Sequence, residues 1–143
     1  MFAVQHLSQF MHRPKNSHLE AAILVVRYIR KSPGQGILLS AASKLQVVAF
    51  CDSDWASCPM SRRSVTGFCI KLGESLISWK SEKQTTVSRS SVEAEYRSMV
   101  VVVAEVVWLN GLLKEISLNQ PAKSVVFSDS KVALQIAANP VFH

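Results

Sequence analysis

The sequence has few cysteines, no long apolar run and no signal peptide. Its three cysteines, Cys51, Cys58 and Cys69, are an odd number without CxxC spacing, which argues against a disulfide scaffold or a zinc module. No run of about 18 apolar residues occurs, so we expect no membrane span. The N-terminus lacks the basic and apolar segments of a signal peptide. These absences predict a protein of the cytoplasm or nucleus without a membrane partner.

Aspartate is also scarce, and its positions are uneven. The 143 residues include 16 lysines and arginines but 10 acidic residues, of which three are aspartates: Asp52, Asp54 and Asp129. The basic excess lies in residues 1–50, which carry six basic residues and one acidic residue. A net charge of +6 is compatible with a polyanionic partner such as nucleic acid but does not establish one.

Apolar periodicity and turn residues predict an α/β fold. The predicted elements are a helix over 18–31, a short strand over 37–39, strands over 45–51, 65–72 and 76–79, a long helix over 90–116, a strand over 124–128 and a helix over 130–138. Antiparallel hairpins followed by a βα crossover imply a mixed sheet with packed helices.

The long helix is predicted although the residues at its centre have a local preference for a strand. Four successive valines over 100–103 favour a strand. Ser90 and Glu93 form the pattern of a capping box, which marks a helix start and decides the assignment. Gly111 is a point at which this helix could bend or divide.

Three acids are candidates for a metal site. Asp52 and Asp129 each follow a predicted strand, and Glu95 lies about one turn into the long helix. If these carboxylates converge, their repulsion requires cations, and such oxygen ligands suit Mg²⁺ or Mn²⁺. The alternative is that the aspartates are turn or cap residues and that Glu95 pairs with the helix dipole. Asp54, two residues after Asp52, lies on the same side of an extended chain and is the second candidate there.

Five further residues are candidates for contact with nucleic acid. Arg62 and Arg63 lie in a polar loop where they could meet phosphates, although a solvated turn explains them equally well. Arg89, Ser90 and Ser91 precede or begin the long helix, whose N-terminus could face a phosphate. Capping already explains Ser90, so contact is the weaker interpretation there.

The three tryptophans, Trp55, Trp79 and Trp108, admit two interpretations. Stacking platforms for bases are one use of such residues. Packing as core or partly buried residues is more common, and we expect it here.

The motifs resemble those of one known family. The segments CDSDWA, SRRSVTGF, ISWKSEKQ and SRSSVEAEY, in that order, resemble the RNase H region of Pol polyproteins from copia-type LTR retrotransposons. The later segments AEVVWLNGLLKEI and VVFSDSKVAL continue the resemblance. The N-terminal part resembles the connection between reverse transcriptase and RNase H. The expected organisation is thus a basic, helical connection remnant over 1–40 and an RNase H-like domain over 41–143.

The resemblance implies a fold, a reaction and a set of partners. The fold would be RNase H-like, and the reaction would be two-metal hydrolysis of RNA in RNA–DNA hybrids. Asp52, Glu95 and Asp129 match the family's metal-binding acids, with Mg²⁺ or Mn²⁺ as cofactor. The partners would be a hybrid or another nucleic acid and, ancestrally, the reverse transcriptase domain of the same polyprotein.

The sequence also departs from the family pattern. That pattern continues beyond NPVFH into further elements that supply a fourth acid, whereas this sequence stops at His143. We therefore expect a truncated domain with an uncovered sheet edge and face and with weak or no activity. The alternatives are a non-catalytic nucleic-acid-binding or interaction remnant of a decayed retroelement, and a translated pseudogene without function.

Overall fold

The fold was obtained as a computed structural model that describes residues 2–41, 46–116 and 122–139. Its elements are α1 (Phe2–Ser8), α2 (Asn16–Arg30), β1 (Gln46–Asp54), β2 (Val65–Leu72), β3 (Ser75–Lys83), α3 (Ser91–Glu115), β4 (Ala122–Phe127) and α4 (Lys131–Ala138). The chain divides into two compact units, Met1–Ile37 and Leu38–His143.

The first unit is a pair of helices. The sequence predicts α2, but α1 shows no clear period and was not predicted. The start of α2 is closed by the Lys15 main-chain N–H, which donates to Nδ1 of His18 (3.2 Å). The ring of Phe10 stacks on His18 with centroids 4.2 Å apart. None of the α2 residues is buried, so its apolar side chains remain largely exposed.

The second unit is built on a four-stranded mixed sheet, in agreement with the predicted α/β fold. The strand order is β3-β2-β1-β4, with β1 antiparallel to β2, β2 antiparallel to β3, and β1 parallel to β4. Strand β3 extends to Lys83, four residues beyond its predicted end. It is an edge strand that pairs with β2, and polar residues are compatible with such a partly solvated position. The short strand predicted over 37–39 is absent, since these residues lie outside the sheet and are exposed.

Helix α3 forms the core together with the sheet. It runs without division through Gly111, and its start is capped as predicted: the Ser90 hydroxyl accepts from the Glu93 main-chain N–H (3.2 Å). The Glu93 carboxylate in turn accepts from the main-chain N–H of Arg89 (2.8 Å), one residue before the cap. The buried apolar cluster consists of Val47, Ala49, Cys51, Phe68, Ile70, Met99, Val102, Val106, Leu109, Leu113 and Ala133.

The same helix also bears on the expectation of no membrane span. By length and composition alone, α3 is apolar enough to cross a membrane. Its buried side, however, packs on the sheet and lines the core cluster. A core helix passes the same composition test, so this property is weak evidence for a membrane location.

The sheet carries exposed aromatic residues on the neighbouring strands β1 and β4. Phe50 of β1 pairs with Phe127 of β4, and their rings stack with centroids 5.2 Å apart. Both remain about half exposed. The three tryptophans, Trp55, Trp79 and Trp108, are 45–61% exposed, so they are partly buried residues and not members of the core.

Candidate metal centre

The structure brings three carboxylates together at one end of the sheet. Asp52 lies near the end of β1, Asp129 follows the end of β4, and Glu95 lies in the second turn of α3. One oxygen of each residue lies within 4.8 Å of the other two. Parallel β1 and β4 end at the same edge of the sheet, which places the two aspartates beside each other. These are the three acids that the sequence singles out.

Glu95 is the innermost member of this carboxylate cluster. Its side chain is 9% exposed, and its Oε1 accepts a hydrogen bond from the main-chain N–H of Ser53 (3.1 Å). Its Oε2 is buried and has no hydrogen-bond partner. Burial raises the pKa of Glu95 to about 7, and the negative charges of Asp52 and Asp129 add to the rise. A buried, unpartnered oxygen beside two other carboxylates is costly unless a cation binds it.

The chemistry of the donors fits a hard divalent cation. Carboxylate oxygens are the preferred ligands of Mg²⁺ and Mn²⁺. Mg²⁺ binds oxygens at about 2.1 Å, so one ion spans oxygens about 4.2 Å apart. Small side-chain rotations would therefore bring Asp52, Glu95 and Asp129 into one coordination sphere. Asp52 and Asp129 are exposed, so a ligand from solvent can reach the same ion.

Asp54, the second candidate beside Asp52, lies apart from this cluster. It is exposed at the end of β1 and is not among the described acids whose oxygens lie within 4.8 Å of one another. Its charge makes the smallest of the contributions that raise the pKa of Glu95. The geometry therefore favours Asp52 over Asp54 as a ligand.

The backbone beside the cluster is fixed by polar contacts from α3 and β4. The Ser98 hydroxyl donates to the main-chain carbonyl of Asp52 (3.0 Å). The Cys51 thiol donates to the carbonyl of Phe127 (3.5 Å), which links the ends of β1 and β4. Burial raises the pKa of the Cys51 thiol, so it stays neutral beside the acids.

The candidate nucleic-acid residues lie on two loops. Arg62 and Arg63 are exposed on the loop between β1 and β2, and Arg62 adopts a left-handed conformation with φ 54°. Arg89 is exposed on the loop before α3. The Trp55 indole donates to the Ser88 carbonyl (3.0 Å), so the two loops meet beyond the end of β1.

The two serines of the same group are placed differently. Ser90 uses its hydroxyl to cap α3, as expected from the capping pattern. Ser91 is the first residue of the helix and is exposed. No contact with nucleic acid is needed to explain Ser90, whereas Ser91 remains open to a ligand.

A buried polar network that the sequence analysis missed supports the start of α3. The Gln84 amide donates to the Thr66 hydroxyl and to the Ala94 carbonyl, both at 3.0 Å. The Ser88 hydroxyl donates to Oε1 of Gln84 (2.9 Å). This network anchors the residue before Glu95 to β2 and to the preceding loop. The sequence did contain one indication of this network: Gln84 is the last residue of the motif ISWKSEKQ, and Ser88 is the first residue of the motif SRSSVEAEY.

The raised pKa of Glu95 predicts a specific pH dependence of stability. Its folded-state pKa is about 7 against 4.5 when unperturbed, so the folded chain holds a proton that the unfolded chain releases. This stabilisation is complete below about pH 4.5 and is lost as the pH rises to about 7, with a slope of at most about 1.4 kcal/mol per pH unit. Urea unfolding in metal-free buffer should show this loss in the wild type and not in Glu95→Gln.

Glu93 provides the matched control for this measurement. The hydrogen bond from the Arg89 main-chain N–H, and after it the Arg97 side chain, lowers the pKa of Glu93. The ionised form of Glu93 therefore stabilises the fold, so its contribution to stability rises with pH, opposite to that of Glu95. Glu93→Gln should therefore keep the loss of stability between pH 4.5 and 7. Equal pH slopes in wild type and Glu95→Gln would show that Glu95 titrates normally.

Comparison with known proteins identifies relatives over the whole chain. The chain is 41% identical over 142 residues, or 99% of its length, to the Retrovirus-related Pol polyprotein from transposon RE1 of Arabidopsis thaliana. It is 40% identical over the same share to the corresponding protein from transposon RE2 of that plant. It spans 10% of the length of each of these relatives.

A shorter relative has no assigned role. The Uncharacterized mitochondrial protein AtMg00810 of Arabidopsis thaliana is 46% identical over 107 residues, which is 75% of this chain and 45% of that protein. No family model matches the chain, and no solved structure matches it significantly. These matches over 99% of this chain confirm the resemblance seen in the motifs: the chain belongs to the family of Pol polyproteins from copia-type retrotransposons and corresponds to about a tenth of their length.

Proposed function

We propose that the unit Leu38–His143 is an RNase H-like domain whose ancestral reaction is hydrolysis of the RNA strand of RNA–DNA hybrids, with weak activity in this chain. The observation that carries the proposal is the convergence of Asp52, Glu95 and Asp129, with one buried Glu95 oxygen left without a partner. The α/β mixed sheet and the membership in a retroelement Pol family support it.

The three acids would each supply an oxygen ligand to Mg²⁺ or Mn²⁺. Glu95 supplies an inner oxygen whose orientation is set by the Ser53 N–H, and Asp52 and Asp129 supply exposed oxygens beside the solvent. A pair of such ions about 4 Å apart would activate a water and stabilise the leaving oxygen of a phosphodiester. The chain's own contribution is to hold three carboxylates in a fixed, partly buried arrangement that favours cation binding.

The loops that carry the arginines would hold the substrate. Arg62, Arg63 and Arg89 are exposed, and the Trp55–Ser88 hydrogen bond ties their loops together at the end of the sheet that carries Asp52. Guanidinium groups bind phosphates with two parallel hydrogen bonds, which suits recognition of a nucleic-acid backbone. The exposed Ser91 at the start of α3 adds a further polar contact.

The test of the proposal is cleavage of a hybrid with a labelled RNA strand by the purified chain, in Mg²⁺ and separately in Mn²⁺. Cleavage should require the metal, should spare the DNA strand and should stop on addition of EDTA. Tight hybrid binding without any cleavage in either metal would contradict the enzymatic proposal.

The double variant Arg62→Ala/Arg63→Ala should weaken hybrid binding and its salt dependence. Each lost phosphate contact lowers the slope of log affinity against log salt by about 0.9 on a duplex. We expect a decrease of between about 1 and 2 for the pair, measured by fluorescence anisotropy at several salt concentrations.

The control for this variant removes a charge at the other end of α3. Lys114 lies in the last turn, and the 25-residue helix places it roughly 35 Å from Ser91. Lys114→Ala should leave the slope unchanged. A similar decrease for both variants would mean that net charge, and not the loop, determines binding.

A second candidate function is nucleic-acid binding without catalysis, as in a remnant of a decayed retroelement. The arginine loops favour it, because they could bind a phosphate backbone whether or not the carboxylate cluster holds a metal. Salt-dependent binding that EDTA does not affect, together with no turnover, is the result that selects this candidate.

The unit Met1–Ile37 is proposed to be the connection to reverse transcriptase in the ancestral polyprotein. Its exposed apolar side chains on α2 support this assignment, because a lone pair of short helices cannot bury them. The partner would be the polymerase part of the same polyprotein.

A further inference from the structure

One peptide group of β1 is held at both ends by helix α3. The hydroxyl of Ser98 donates to the carbonyl of Asp52 (3.0 Å), and the N–H of Ser53 donates to Oε1 of Glu95 (3.1 Å). This carbonyl and this N–H belong to the single peptide group that joins Asp52 to Ser53. Glu95 and Ser98 are three residues apart on α3 and therefore lie on one face of the helix.

The two bonds connect the backbone of one acid to the side chain of another. The Asp52 carboxylate is attached to the clamped peptide through its own Cα, and Glu95 is part of the clamp itself. If the Asp52 carbonyl lost its bond to Ser98 and shifted, the Cα of Asp52 would move with it. The Ser53 N–H would move as well, and the Glu95 carboxylate that it orients would rotate. The distance between the carboxylates of Asp52 and Glu95 therefore depends on Ser98, which is not itself a candidate ligand.

Ser98 occupies a position where its hydroxyl has little freedom. The residue is fully buried at 0% exposure, beside the core residues Met99 and Val102. Water cannot replace its hydroxyl at the Asp52 carbonyl without opening the core. Removing a buried donor leaves its acceptor unsatisfied, which favours a shift of the acceptor toward another partner.

We propose that Ser98 is a positioning residue of the metal centre, holding the Asp52–Ser53 peptide against α3 so that the carboxylates of Asp52 and Glu95 stay within reach of one ion. This inference rests on the proposed metal-binding function. Ser98 itself touches neither metal nor substrate, and its effect is transmitted through the clamped peptide.

Ser64 offers a matched control for a buried serine without this role. It is also 0% exposed, and its hydroxyl accepts from the main-chain N–H of Ala56 (3.0 Å) on the loop after β1. Ser64→Ala and Ser98→Ala remove the same atom from equally buried sites. They differ in that Ser98 contacts the backbone of a proposed ligand.

The experiment titrates the full chain with Mn²⁺ and measures the free ion by electron paramagnetic resonance, alongside the melting temperature. Loss of a hydrogen bond that orients a metal ligand typically weakens metal binding by about 10–100-fold. We expect Ser98→Ala to weaken Mn²⁺ binding by about tenfold and Ser64→Ala by less than about twofold, although both lower the melting temperature. Ser98→Thr, which keeps the hydroxyl, should retain Mn²⁺ affinity even if its extra methyl lowers the melting temperature.

A second readout separates the clamp from the proposed function. Amide hydrogen exchange at Ser53, measured by NMR without metal, should become at least about tenfold faster in Ser98→Ala and not in Ser64→Ala. If the wild type binds no Mn²⁺, the metal-centre proposal fails, while faster exchange still supports the clamp. Unchanged Ser53 exchange, unchanged Mn²⁺ affinity in Ser98→Ala, or equal weakening by Ser64→Ala would each overturn the positioning role.

Discussion

Replacing Asp52 by Asn should reduce metal-dependent cleavage of the RNA strand of a hybrid by at least about a hundredfold. Loss of residues that merely orient metal ligands typically costs about 10–100-fold in affinity or activity, and a direct ligand should cost more. Asn keeps the size of Asp52 but removes one of the three carboxylates that converge at the cluster. Initial cleavage rates at saturating Mg²⁺, with Mn²⁺ binding as a second measurement, check the prediction.

Asp54 provides a control on the same strand. Asp54→Asn removes the same charge two residues further along β1, from an exposed residue outside the three-acid cluster. Its rate should stay within about threefold of the wild type, in line with a weak long-range charge effect. Cleavage that survives Asp52→Asn but not Asp54→Asn would move the ligand to Asp54 and contradict the assigned site.

The second large effect concerns two neighbouring valines of α3. Val102 is 0% exposed within the core, and Val103 is 46% exposed. Val102→Ala removes buried methyl groups and leaves a cavity, so we expect it to lower the free energy of unfolding by about 2 kcal/mol. Urea unfolding followed by circular dichroism gives the change from the shift in midpoint at constant slope.

Val103→Ala is the internal control, and it should not lower the free energy of unfolding. Alanine is a better helix former than a β-branched residue by about 0.5 kcal/mol, while little buried surface is lost at Val103. The variant should be neutral or slightly more stable than the wild type. Equal destabilisation by both substitutions would mean that the exposed side of α3 is covered in solution.

Local patterns were sufficient for most elements of the second unit. Ser90 and Glu93 marked the start of α3, and the capping bond forms as expected. Helix α1 was not predicted because its seven residues are too few to establish a helical period. The full length of β3 was missed because its polar second half is stabilised by pairing with β2, a contact that local sequence does not encode.

The candidate acids could be chosen from the sequence, but their geometry could not. Strand ends and helix starts indicated Asp52, Glu95 and Asp129, whereas the distance between them depends on the parallel pairing of β1 with β4. The Ser98 contact and the Gln84 network were missed for a related reason. Ser98 lies 46 positions from Asp52, and Gln84 bonds to Thr66 and Ala94, which are 18 and 10 positions away. Serine or glutamine in isolation gives no signal of such a bond.

The register of β1 with β4 makes the two aspartates sensitive to changes in chain length. Phe50 pairs with Phe127, and each is followed two residues later by an acid, Asp52 or Asp129. One residue inserted between Phe127 and Asp129 would move the Asp129 carboxylate away from its place beside Asp52, by up to about 3.3 Å where the added residue is extended. Such an insertion would leave the core strands intact. A copy of this domain with such an insertion can therefore lose the site while its sequence still contains all three acids.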